Sequence, residues 1–153
     1  MNIIEGLVAE HRVFLTVFDE MERTLADVKT VDEVTRLSRF LERLLHNHGE
    51  TEQDLTYIAV DHILKQRKQF THLHHDHQKI DGLLKEVEKS ENLKEARARL
   101  RAALEACRAH FNDEERTLFP LIEKALQYET LQILGKVWKS QSRLSPQSSI
   151  GKT

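Results

Sequence analysis

HFNDEERTLFP, residues 110–120, places His110 and Glu114 four residues apart in a stretch with a helical pattern on both sides. On an α-helix, positions i and i+4 share a face, so this imidazole and this carboxylate point in the same direction and can bind the same metal ion. The preceding residues on that face, such as Leu104 and Cys107, are apolar. Because a carboxylate on an apolar face is costly unless it is paired or bound to a metal, the pair indicates a buried metal site. One pair alone is a weak signal, and the prediction depends on a repeat elsewhere in the chain.

Apolar residues recur at alternating steps of four and three in successive segments of the chain. This is the pattern of helices packed in a bundle. We expect the chain to turn near residues 27–30, 65–71 and 90–92. The predicted helices run from Ile3 to about Ala26, from about Val31 into the sixties, through Leu73–Val87, and from about Leu93 towards Tyr128.

Local signals mark the ends of several predicted helices. Thr30 and Glu33 have the spacing of a capping box at the start of the second helix, and Asn92 and Glu95 have the same spacing at the start of the fourth. Pro120 removes a backbone hydrogen bond inside the fourth helix, so we expect a kink or an early end there.

The second half of the chain repeats the first. Residues 7–21 match residues 73–87 without a gap, and each matched histidine follows an acidic residue. Two helical hairpins with short connections form an up-down-up-down four-helix bundle, so we predict an all-α fold of this kind. Its core would contain the matched pairs, which are His11 with His77, His48 with His110, and Glu52 with Glu114.

Alternatives remain open at this point. The second helix also offers His46 with Glu50, although the phase of its apolar stripe favours His48 with Glu52. His74 shares a helix face with His77 and could be a further ligand. The patterns Glu-x-x-His, of ferritin-like bundles, and His-Glu-x-x-His, of zinc proteases, do not occur in the chain. Imidazole and carboxylate ligands both suit iron.

Composition limits the other classes of function. The 153 residues include 23 basic and 25 acidic side chains, so the net charge of −2 predicts neither a nucleic-acid partner nor an anionic membrane partner. A single cysteine, no signal-peptide pattern at the N-terminus and no apolar stretch of roughly 20 residues predict a cytoplasmic protein. We expect one domain over residues 1–135 and a polar, mobile tail over residues 136–153.

Over residues 3–128 the chain resembles the hemerythrin-like family, also called the His-His-Glu cation-binding domain. The segments that carry the resemblance are EHRVF, HGETEQDLTY, HDHQKID and HFNDEERTLFP. The resemblance implies a four-helix bundle around two non-haem iron ions, with an oxo or hydroxo bridge and two bridging carboxylates. The metal ligands that it implies are His11, His48, Glu52, His77, His110 and Glu114.

Two departures distinguish the chain from oxygen-carrying hemerythrins. Carriers have a fifth histidine four residues before the one that matches His77, and this chain has Leu73 there. Carriers also place the last carboxylate five residues after its histidine, a spacing that reaches Glu115 rather than Glu114 and leaves a metal contact by Glu115 open.

The departures make the chain more similar to the six-ligand members of the family. The resemblance therefore implies a protein that binds or senses O2, NO or iron. The alternative is a protein that repairs iron–sulfur clusters or consumes NO or peroxide, with an electron-transfer partner. A third hypothesis is a helical adaptor protein whose metal site is vestigial.

Overall fold

The computed structural model describes residues 1–57 and 71–142, and these residues contain helices and no strands. The all-α fold is therefore confirmed, while the up-down-up-down order of its helices stays a prediction. In the part of the chain that the structure describes, no helix combines the length and apolar character needed to cross a membrane. The α-helices are α1 (Ile3–Asp27), α2 (Val31–Glu52), α3 (Thr71–Val87), α4 (Leu93–Asp113), α5 (Phe119–Ala125) and α6 (Tyr128–Ser142), with π-helical turns at Gln53–Tyr57 and Glu114–Leu118.

The predicted caps are present. At the start of α2, the backbone N–H of Glu33 donates to the Thr30 hydroxyl at 3.2 Å, and the backbone N–H of Thr30 donates to the Glu33 carboxylate at 2.9 Å. At the start of α4, the backbone N–H of Glu95 donates to the Asn92 side chain at 3.0 Å. These bonds satisfy N–H groups that have no partner within the helix, which fixes where each helix begins.

The helices pack around two apolar clusters. Cluster A lies between α1, α2, α3 and α4 and includes Phe18, Leu84 and Leu100. Cluster B is formed by α1, α3, α5, α6 and the two π-helical turns and includes Leu7, Leu73 and Ile122. Helix α2 contacts α1, α3 and α4, and α4 also contacts α1 and α3. Between the two clusters lies a layer that contains the buried side chains of His11, His48, Glu52, His110 and Glu114.

Helix α6 packs against the start of α1. The sequence predicted a mobile tail from residue 136 onwards, and in the structure residues 136–142 continue α6. Leu131 is 3% exposed, and the ring of Trp138 lies so close to Gly6 that a Cβ there would come within 3.0 Å of it. Apolar side chains at positions 131, 134 and 138 form a helical stripe that the polar residues between them obscured. Residues 143–153 lie outside the described part, and their mobility stays a prediction.

The fourth predicted helix is irregular before Pro120. A π-helical turn spans Glu114–Leu118, in which the backbone N–H of Phe119 donates to the Glu114 carbonyl, five residues back. The helical path resumes in α5 and ends at Ala125, because Leu126 is extended. The expected disturbance therefore lies on the N-terminal side of the proline. The predicted continuation of the second helix into the sixties, and most of the predicted turn at residues 65–71, fall on residues 58–70, outside the described part.

Candidate metal centre

The six side chains predicted from the repeat converge in the layer between clusters A and B. They form two groups, and within each group one ligand atom per residue lies within 4.8 Å of the others. Both groups contain Glu52 and Glu114, whose side chains are fully buried. The first group adds His11 and His48, and the second adds His77 and His110.

The histidines direct Nε2 towards the shared carboxylates. His110 Nε2 lies 2.9 Å from Glu114 Oε1, and His11 Nε2 lies 3.5 Å from Glu114 Oε2. His48 Nε2 lies 3.8 Å from Glu52 Oε2. His77 Nε2 lies between the two carboxylates, at 3.8 Å from Glu52 and 3.9 Å from Glu114. Four imidazole nitrogens thus surround one pair of carboxylates.

Two of these histidines also contact a carboxylate outside the centre through Nδ1, their second ring nitrogen. His11 Nδ1 lies 2.9 Å from Glu115, and His48 Nδ1 lies 3.0 Å from Glu10. A carboxylate that accepts Nδ1–H leaves the Nε2 lone pair free to bind a metal, and it also fixes the ring orientation. Glu115, which the sequence left open as a ligand, therefore contacts the edge of His11 opposite to Glu114.

The acidic residues that precede His11 and His77 each lie close to a histidine on the next helix. Glu10 of α1 contacts His48 of α2, and Asp76 of α3 lies 3.7 Å from Nδ1 of His110 on α4. The repeat of an acid before each histidine was visible in the sequence. The crossing from one helix to the next was not, because it depends on how neighbouring helices face each other.

The alternative pair on α2 lies outside the centre. The side chains of His46 and Glu50 are 65% and 67% exposed, whereas those of His48 and Glu52 are 3% and 0% exposed. The two pairs lie on different faces because a shift of two residues turns the direction of a side chain by about 200°. The side chain of His74 is not among those that the structure describes.

Phenylalanine rings enclose the first group. Phe111 stacks on His11 with ring centroids 4.0 Å apart and planes 8° apart, and Phe119 lies 5.5 Å away. Both phenylalanines are 2% exposed. Apolar rings on this side exclude water, and so they strengthen every electrostatic interaction within the group.

Burial makes charge at the centre unfavourable. It raises the pKa of Glu52 well above its usual value, and the nearby carboxylate of Glu114 raises it further. Burial, together with the charges that His48 and His110 carry when protonated, lowers the pKa of His11 to about 2. Burial also lowers the pKa of His110. The imidazoles of His11 and His110 are therefore neutral, as metal binding requires, while an ionised carboxylate lacks a compensating cation.

Several buried nitrogen and oxygen atoms at the centre have no hydrogen-bond partner in the described part of the protein and could bind a cation. Within residues 1–57 and 71–142, Nε2 of His11, Nε2 of His48 and both carboxylate oxygens of Glu52 have no hydrogen-bond partner. Buried polar groups are nearly always satisfied, and several unsatisfied ones in one place point to a missing ion. A transition-metal ion among imidazole nitrogens and carboxylate oxygens would supply all of them with a partner.

Each shared carboxylate lies at a π-helical turn. Glu52 is the last residue before one turn, and Glu114 is the first residue of the other. In both turns, a threonine hydroxyl donates at 2.6 Å to the carbonyl that precedes the turn, from Thr56 to Glu52 and from Thr117 to Asp113. Such turns are rare and often occur at functional sites. Only the second turn is next to a proline, so the proline does not explain both.

The geometry defines a helical cation-binding domain. Among known families, the one described as hemerythrin HHE cation binding domain matches residues 2–130. The chain therefore belongs to the hemerythrin family. Comparison with curated proteins and with solved structures gave no significant match.

Proposed function

We propose that this protein is a non-haem di-iron protein that binds or senses O2, NO or iron within an up-down-up-down four-helix bundle. The observation that carries the proposal is the pair of ligand groups that share Glu52 and Glu114. Two groups with common carboxylates suit two ions held side by side, and imidazole and carboxylate ligands suit iron. When bound, two iron ions would supply redox chemistry and an open coordination position for a small ligand.

The protein's own side chains prepare the centre for this role. His11 and His48 would bind one ion and His77 and His110 the other, with both carboxylates between them. Glu10 and Glu115 keep Nδ1–H on two of the rings, so that Nε2 is available. Phe111 and Phe119 exclude water from the His11 side.

A second candidate function is turnover, either repair of iron–sulfur clusters or consumption of NO or peroxide. A cavity of about 340 Å³ reaches His77 and His110, and it is much larger than a diatomic ligand requires. Both candidates place the small ligand at the same centre, and the second also needs an electron-transfer partner. Multiple turnovers of NO or peroxide with an added reductant would favour the second over the first.

Metal analysis tests the proposal directly. Protein loaded with Fe2+ without air should contain close to two iron ions per chain, and His11→Ala and His110→Ala should each reduce this strongly. His48→Ala should lose iron while His46→Ala keeps most of it, since only His48 is buried against a shared carboxylate. Iron content that is the same in all four variants would contradict the assignment of the ligands.

A further inference from the structure

The two halves of the centre differ in their exposure to solvent. The side chains of His11, His48 and His110 are 0%, 3% and 2% exposed, whereas that of His77 is 24% exposed. The cavity of about 340 Å³ lies between α2, α3 and α4 and extends to His77. Both histidines of the second group line this cavity, and so does His48 of the first group, so an incoming ion can reach the centre from it.

The walls of this cavity suit a cation. Glu50 and His46 line it from α2 and Asp81 lines it from α3, and all three are exposed at its outer part. Among the described residues that line it there is no lysine or arginine. Carboxylates at the mouth of a cavity raise the local concentration of cations and the rate at which they arrive.

His46 and Glu50 form a nitrogen–oxygen pair at the mouth. His46 Nε2 lies 3.3 Å from Glu50 Oε1, one helical turn apart on the same face. A histidine and a carboxylate so placed can share a divalent ion. At the inner part of the cavity lies His48, whose buried Nε2 has no hydrogen-bond partner within residues 1–57 and 71–142.

We propose that this cavity is the access route by which a divalent metal ion reaches the centre, with His46 and Glu50 as its first, transient ligands and Asp81 attracting it from the opposite wall. The inference rests on the proposed function, because it assumes that the centre binds metal. It gives a role to the pair on α2 that is too exposed to belong to the buried centre.

Gly49 keeps the route open. It lines the cavity between His48 and Glu50, and a Cβ at this position would lie 3.6 Å from Cε1 and Nδ1 of His77. That distance is ordinary van der Waals contact, so alanine fits, but a larger side chain would occupy the space in front of His77. Gly49→Val should therefore slow metal uptake without any change of charge.

A second cavity on the other side of α2 provides the control. It has a volume of about 410 Å³ and is lined by Glu10 of α1 and Asp54 of the π-helical turn. It shares Glu50 and His48 with the first cavity, so Asp54 and Asp81 are the residues that distinguish the two. The second cavity reaches His48, but Glu10 already contacts the Nδ1 edge of that ring at 3.0 Å. Asp54 is an exposed carboxylate, like Asp81. The cavity that it lines leads to the Nδ1 edge of His48, which is already in contact with Glu10.

The test is the rate of metal uptake. Metal-free protein is mixed with excess Co2+ in a stopped-flow instrument, the visible absorption of bound Co2+ is followed, and the final metal content is measured separately. Glu50→Gln, Asp81→Asn and His46→Ala should each take up Co2+ about three- to tenfold more slowly, with the same final content. Asp54→Asn should match the wild type. High salt should reduce the difference between Asp81→Asn and the wild type.

The outcomes separate the two proposals. Full metal content with unchanged rates in the Glu50, Asp81 and Gly49 variants would overturn the access route and leave the metal centre in place. Equal slowing in Asp54→Asn and Asp81→Asn would also overturn it, because net charge would then be the cause. A wild-type protein that binds neither Co2+ nor Fe2+ would overturn the proposed function and the route together.

Discussion

Glu52 shows at the scale of one residue how this protein favours metal binding over its own stability. Its side chain is fully buried, and two of its closest polar neighbours are the imidazoles of His48 and His77. Burial raises its pKa well above the value that it has in the unfolded chain. Its contribution to stability is therefore complete below about pH 4.5 and is lost as the pH rises through the raised pKa of the folded state.

Replacing this carboxylate should stabilise the metal-free protein. Glutamine has a similar shape and does not ionise, so Glu52→Gln should raise the free energy of unfolding at pH 7.5 by about 1–3 kcal/mol. The gain should shrink towards zero as the pH falls to 4.5. Urea denaturation at both pH values, with the exposed Glu50→Gln as a control, measures this. A metal-free Glu52→Gln protein that is less stable at pH 7.5 would contradict it.

The outer acids act through the histidines that they contact. Glu115→Gln removes the carboxylate beside His11 Nδ1, so the tautomer that leaves Nε2 free is less favoured. The affinity for metal should fall by roughly tenfold or more, with the helical structure unchanged. Competition with a chelator measures the affinity, and the exposed Glu105→Gln on α4 serves as the control. Equal affinities in the two variants would show that Glu115 does not orient His11.

Irregular elements mark the limit of prediction from the sequence. The spacing of apolar residues located α1 to α4 but not α6, and cap spacing located the starts of α2 and α4. The π-helical turns at Glu52 and Glu114 were not predicted, because a π turn inserts one residue without a clear compositional signal. Thr56 and Thr117 were the available hint, since a threonine hydroxyl can satisfy a carbonyl within a helix.

The hydroxyl of Thr56 should contribute more to the free energy of unfolding than the hydroxyl of a threonine in a regular helix. Thr56 is fully buried and donates to the carbonyl of Glu52 at 2.6 Å. Thr51 makes the same kind of bond, to Asn47 at 2.9 Å, in an exposed position. Thr56→Val should lower the free energy of unfolding by about 1 kcal/mol more than Thr51→Val, and it should weaken metal binding as well. Thermal unfolding and chelator competition on both variants check this.

Two glycines allow the docking of α6 to be tested. A Cβ at Gly135 would lie 2.7 Å from the carbonyl oxygen of Met1, whereas nothing lies within 4 Å of a Cβ at Gly82. Gly82→Ala should stabilise α3 by up to about 1 kcal/mol, as usual within a helix. Gly135→Ala gains the same helical propensity but must push α6 away from α1, so the melting temperature should fall. A rise in both variants would mean that α6 contributes little.

At the scale of the whole molecule, the internal repeat was the most informative feature of the sequence. Together with the phase of the apolar stripe, it favoured His48 and Glu52, which are buried, over His46 and Glu50, which are exposed. The repeat did not predict which residues of different helices contact each other. Neither the partnership of Glu10 with His48 nor the stacking of Phe111 on His11 follows from spacing along the chain, because both depend on which helix faces lie together.

Leu73 links the fold of the whole molecule to its reaction with oxygen. It stands where a fifth histidine would lie in oxygen carriers, one helical turn before His77, and it is fully buried in cluster B. The apolar cluster therefore extends to the edge of the centre and supplies no further ligand there. We predict that the anaerobically reduced iron protein is oxidised by air within a short time and does not release O2 under vacuum.

Leu73→His tests whether this position sets that behaviour. The change replaces a packed leucine with a polar ring, which should destabilise the metal-free protein by about 2–4 kcal/mol. With iron bound, the added imidazole, four residues before His77 on the same face, should slow oxidation by air. Leu73→Gln places a polar side chain of similar length there without an imidazole and should oxidise as fast as the wild type. The visible spectrum of the reduced proteins after exposure to air gives the rates. A wild-type protein whose oxygenated spectrum lasts and reverses under vacuum would mean that four histidines suffice for reversible binding, and that Leu73 has no part in it.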